Sequence, residues 1–240
     1  MILKKGLNPC DNMTQVTICL LIGLIFFFII SIFAGELIFK KMFKRNFSFF
    51  KEFPYELYSP FGKNKNLIYL ISSVIYIGIS ITAFIPYISL ADGVFSTMIY
   101  FIMIAGIYAV TQLFYLSLIL IPAFFIKVHS ALATLFFSFS LLGSTALGLS
   151  LINIYSITMQ SPVLIIAILC FILSLAEFLI IFNPKLKTWT ELEKHPSDSG
   201  ELTYARPKIF ALAVSEWSIV IIQFIIAFLA LITYLIVYMR

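Results

Sequence analysis

Six continuous apolar runs, each about as long as a helix needs to cross a bilayer, constrain this 240-residue chain more than any other feature. A hydrocarbon core about 30 Å thick takes roughly 20 apolar residues in a helix. The runs do not alternate as barrel strands must, so the expected fold class is all-α, a polytopic membrane protein of about six transmembrane helices. Composition agrees: 62% of residues are hydrophobic and only 11% charged.

The runs fall at about 15–38, 67–90, 94–126, 130–154, 163–182 and 209–238, in one transmembrane domain covering 1–240. The third is too long for one upright helix, and tilt or a break near Pro122 is expected to accommodate it. The first exceeds a signal-peptide core and reads as a retained span. The connection 39–66 carries seven basic residues, among them Lys40, Lys41 and Lys63, against Glu52 and Glu56. A basic excess in a short loop places it in the cytoplasm, which puts the N-terminus outside and the second long connection, 183–208, inside with it. A prokaryotic plasma membrane is the expected location, and the net charge of +5 reports loop orientation, not nucleic-acid binding.

An ionisable group inside a span costs about 2.5 to 3.5 kcal/mol on insertion scales, so each one asks for a reason. Glu36, Glu177 and Glu216 all fall in the inner half of the membrane if the spans alternate. Where their helices adjoin they line one polar vestibule, as coupling or ion-path groups; an interfacial Glu36 with its head in water is the simpler alternative. In the fourth span Ser140, Ser144 and Gly148 recur every four residues, a stripe that permits close helix approach or hydrogen bonding to a neighbour. The second connection mixes Glu191, Glu193 and Glu201 with Arg206 and Lys208, which reads either as a solvated face or as a docking surface. Tyr204, Trp189 and Trp217 are expected as aromatic anchors near the inner boundary. The three cysteines and two histidines show no metal-ligand spacing, and phosphate loops and nucleophile elbows are absent. No catalytic residue, metal or cofactor bound by this chain is expected, and nothing encodes a self-contained enzyme.

Several segments, in shared order, resemble one family. Phe53–Asn66, FPYELYSPFGKNKN, is similar to a P-F-Y-D-L-I-K-L-F-G-K-E element, with Glu56 at the acidic position and Gly62 and Lys63 matching at its end. Glu36 with Lys40 and Lys41 resembles an E-R-K element, and Ala83–Gly93 an A-x-I-P-F-G element. Ser174–Glu193 resembles A-E-T-x-R-x-P-x-D-x-P-x-x-x-x-E-L through Ala176, Glu177, Glu191 and Leu192. The stretch from Gly200 to Trp217 resembles E-Y-S-G with a later E-W, through Glu201, Tyr204, Glu216 and Trp217. These are motifs of the H-type membrane subunit of NADH:quinone oxidoreductase (respiratory complex I) and its counterparts in group 4 membrane-bound hydrogenases, of which this chain looks like a divergent, shortened member.

The resemblance implies an integral membrane subunit that anchors a hydrophilic redox arm and couples electron transfer to ion translocation. It also implies antiporter-like membrane subunits and lipid as neighbours, with iron-sulfur clusters, a nickel-iron site or quinone held by partner subunits. Glu56, Lys63, Glu191, Glu193, Glu201, Tyr204 and Arg206 would be the loop docking residues. Ser140 stands where the family has a glutamate and Ile180 where it has an arginine. That leaves two further readings open: a free-standing proton- or ion-coupled transporter or channel, and an assembly subunit without a conducting path.

Overall fold

The computed structural model describes residues 12–59, 65–90, 95–122, 125–186, 193–196, 202–205 and 207–238, with the side chains of 95–97, 193–196 and 202–205 excepted. It is an all-α bundle. The helices are α1 (Asn12–Phe43), α2 (Pro54–Tyr58), α3 (Leu67–Thr82), α4 (Phe84–Ser89), α5 (Phe95–Leu120), α6 (Ile126–Thr158), α7 (Ser161–Ile181) and α8 (Ala211–Tyr238). Six segments are long and apolar enough to cross a membrane: α1, α3 with α4, α5, α6, α7 and α8. The protein is a multi-pass membrane protein.

Helix limits follow local chemistry more than hydropathy. The second span breaks at Ala83 because Pro86 lacks an N–H and its ring crowds the carbonyl four residues back, at Thr82. The long third run resolves into α5, which stops at Leu120, since the residue before Pro122 disfavours helical geometry. The fourth runs on to Thr158, about 50 Å at 1.5 Å per residue, and overshoots the hydrocarbon core. Met159, at φ 52°, turns the chain out of α6, and Pro162 in the first turn of α7 starts the return. The 183–208 connection holds a 3-10 turn at Pro184–Leu186 and a short antiparallel ribbon, β1 (Glu193–Pro196) with β2 (Leu202–Ala205), pairing Lys194 with Tyr204. The charge pattern of that connection gave no sign of the ribbon.

The core sits around α8. Of its apolar window 61% is buried, against 17% for α1, so α8 is central and α1 presents most of its apolar surface outward. Helices α6 and α7 form a tight antiparallel hairpin: a Cβ at Gly148 would meet the Phe171 ring at 3.2 Å. At Gly35 a Cβ would lie 3.0 Å from the Tyr69 ring and 3.2 Å from Leu57, so this glycine lets α1 approach α3 and the short helix α2. The Asn66 amide fixes the same junction. It donates to the Gly35 carbonyl at 2.9 Å, and its oxygen caps α3 by accepting from the Tyr69 N–H at 3.1 Å.

Candidate functional site: two acids on one helical seam

Helices α6 and α8 run in the same direction, and two polar clusters lie between them. The first is built on Glu177 of α7, which is fully buried. The hydroxyls of Ser140 and Ser144, one turn apart on α6, both donate to its carboxylate. From α8 the Gln223 amide nitrogen donates to Glu177 at 3.2 Å and to the Ser140 hydroxyl. The spacing of four along α6 puts both serines on one face, so the stripe serves hydrogen bonding at Ser140 and Ser144 and close packing at Gly148.

This geometry accepts the acid in either protonation state. A hydroxyl has one proton and two lone pairs. With Glu177 ionised, both serines donate to it. With Glu177 neutral, Ser144 can turn its proton to the Ser140 carbonyl, 3.0 Å away, and accept from the carboxylic acid. Among the described residues no basic group forms an ion pair with Glu177.

The second cluster lies where α6 and α8 begin. His129 Nε2 is 2.9 Å from Glu216 Oε1, and both side chains are completely buried. His129 Nδ1 lies 3.0 Å from the Ile121 carbonyl. A carbonyl only accepts, so Nδ1 carries a proton, and the hydrogen bond to Glu216 holds one more, on nitrogen or on oxygen. The pair is therefore neutral as a unit in both arrangements. Glu216 and Gln223 are seven residues apart, two turns on one face of α8, which places the clusters about 10 Å apart along that helix.

A segment between α1 and α3 seals this end. Pro54 opens α2, and Glu56 accepts from the Phe53 N–H at 2.8 Å, as a carboxylate three residues into a helix does. The Phe53 and Tyr55 rings stand edge-on to His129, with centroids 5.3 and 5.7 Å away. Trp217 donates from its indole nitrogen to the Glu52 carbonyl at 2.9 Å, and the Phe210 N–H donates to the Phe50 carbonyl at 2.7 Å. The Glu52 carboxylate pairs with Arg45 and accepts from the Ser48 N–H at 2.7 Å. Trp217→Phe keeps an aromatic ring but removes the indole donor and the five-membered ring that carries it, so a small void adds to the lost hydrogen bond. It is expected to cost about 2–3 kcal/mol and to speed amide hydrogen exchange across Phe50–Phe53, leaving exchange in α7 unchanged.

Of the residues singled out from the sequence, Glu177 and Glu216 reach the interior, in separate clusters on a shared seam. Glu36 is half-buried on α1 and joins neither: it makes no hydrogen bond or ion pair among the described residues. Glu56 is half-buried and engaged with its own helix start. Trp217 is buried and tied to the 44–59 segment, not spread at an interface. Glu193 and Tyr204 lie on the ribbon strands, whose side chains are outside the description. Lys63, Glu191, Glu201, Arg206 and Trp189 lie outside the described residues. Sequence reasoning passed over His129, one of the two histidines without metal-ligand spacing, and Gln223, which a heptad count from Glu216 would have found. No group of three or more histidine, cysteine or acidic residues that could hold a metal ion occurs among the described residues.

No protein-family model matches the chain, and no curated protein or solved structure matches it significantly.

Proposed function

We propose that this chain is an integral membrane subunit of a redox-driven, ion-translocating assembly of the complex I and membrane-bound hydrogenase kind. Its interior acids exchange protons, while the end of the bundle where α6 and α8 begin faces a hydrophilic, cytoplasmic redox arm in a prokaryotic plasma membrane. The observation that carries this reading is the Glu177 site, a buried acid without a counter-ion among the described residues, whose three donors suit it both charged and neutral. An ionisable group held this way inside a membrane bundle is what a proton path needs.

Phe53 and Phe210 lie 157 positions apart in sequence, each in or beside a motif-bearing segment, and their rings meet at 5.3 Å beside the Trp217 bond to Glu52. A docking face built from those two segments would report on a partner to Glu216, which sits directly beneath them. The test is purification from native membranes in mild detergent, with identification of what accompanies the chain. A large complex containing iron-sulfur proteins and antiporter-like membrane subunits is the expected result. A lone homo-oligomer would overturn it in favour of a free-standing transporter.

A further inference from the structure

Between the two acids, the bundle interior is lined by polar side chains set among apolar ones. On α3, Tyr69, Tyr76 and Ser80 share one face, and on α5, Tyr108, Gln112 and Tyr115 do the same. All six are buried. The two ends of this column are bonded. The Tyr69 and Tyr115 hydroxyls lie 3.5 Å apart, and both rings are within electrostatic range of Glu216. At the other end the Tyr108 hydroxyl donates to the Gln223 backbone carbonyl at 2.9 Å.

The middle of the column is different. Gln112 is 1% exposed, yet neither its amide oxygen nor its amide nitrogen has a hydrogen-bond partner among the described residues. The Tyr76 hydroxyl, on a side chain 2% exposed, has none either, nor does Glu216 Oε2. Tyr69 meets Tyr115 across the antiparallel helices α3 and α5, so Tyr76, two turns along α3, comes opposite the Tyr108–Gln112 turn of α5. Buried donors and acceptors are almost always satisfied, and an amide with both ends open beside an open phenol is costly in a dry bundle.

We propose that Gln112 and Tyr76 form a water-binding site at the centre of the bundle. A buried water needs about two to four polar partners, and the Gln112 amide and the Tyr76 hydroxyl supply both donors and acceptors. Water held there joins the Tyr69–Tyr115 pair to Tyr108, whose hydroxyl ends on the Gln223 carbonyl, in a relay that runs as far as Tyr108. In such a relay each hydroxyl and each water takes a proton on one side and gives one up on the other, and no tyrosine is left charged. The hydration stands by itself; its service as a relay rests on the proton-exchange reading above.

Hydroxyl-radical footprinting by microsecond X-ray radiolysis of the full chain in lipid nanodiscs tests it, because water held inside a protein is activated in place and labels the side chains it touches. Tyr76 is expected to be labelled several-fold faster than Phe101, an aromatic ring that is equally buried. Gln112→Leu is expected to bring Tyr76 down to the Phe101 rate. Equal rates at Tyr76 and Phe101 in the unaltered protein would overturn the site, whatever the variant does. Labelling of Tyr76 that persists in a folded Gln112→Leu protein would overturn the role given to Gln112. Neither readout depends on partners or on transport activity, so the result stands if the proposed function fails.

Discussion

His129→Leu is expected to lower the unfolding free energy of the bundle by about 3–5 kcal/mol, and Glu216→Leu by a similar amount, while the double replacement costs less than either alone. Each single change strands the other partner inside the protein. Without His129, the carboxylate loses its only hydrogen bond among the described residues, and the Ile121 carbonyl loses its donor. Without Glu216, the imidazole Nε2 loses its hydrogen-bond partner at a buried position beside the Phe53 and Tyr55 rings. With both replaced, two leucines of similar volume fill the gap and leave only the Ile121 carbonyl without its former donor. A double-mutant cycle by steric trapping in bicelles reads the coupling directly. Single effects below about 0.5 kcal/mol that simply add would be the signature of a hydrated, surface-like pair, and would remove the basis for treating Glu216 as an interior acid.

That pair also marks how far the sequence could be read. Continuous apolar runs fix the number of long helices because lipid leaves the backbone no other way to satisfy itself. The ends of those helices are set by caps and prolines instead. Helix α1 continues through Lys40 and Lys41 to Phe43, since long basic side chains can reach the interface from inside a helix. Periodicity told which residues of α6 share a face, so Ser140, Ser144 and Gly148 stood out. It could not say that α7 would lay Glu177 against the first two and Phe171 against the third, because a sequence gives angles about one axis and not the identity of the neighbour. His129 was hidden by a related limit. A lone histidine after Lys127 looks like a turn residue until the fold brings α8 alongside and the 44–59 segment closes over it. Trp217, expected near the inner boundary, and Glu56, expected at a docking surface, both have partners within the chain that fasten that segment.

Under the function proposed above, Glu177→Gln is expected to cut redox-driven proton translocation at least tenfold, about 1.4 kcal/mol or more added to the barrier, while the protein still folds and assembles. The amide matches the acid in volume and keeps one acceptor oxygen. Its nitrogen cannot accept, so one serine must look elsewhere. Ser144 has a ready alternative in the Ser140 carbonyl at 3.0 Å, which holds the structural cost to about 1 kcal/mol. What the amide cannot do is take up and release a proton. Glu177→Leu makes the contrast: Ser144 can still turn to the Ser140 carbonyl and Gln223 to the Ser140 hydroxyl, but the Ser140 proton and the second Gln223 N–H face an apolar group. Open polar groups of that kind cost about 1–3 kcal/mol each, so this variant should be plainly less stable in a detergent-unfolding titration. The two losses therefore separate: flux without stability in the glutamine variant, both in the leucine variant. Unchanged proton uptake by proteoliposomes carrying an intact Glu177→Gln assembly would instead make Glu177 a structural acid, whose serines and glutamine fasten α6, α7 and α8 together, and would move the conducting path to Glu216 or out of this subunit.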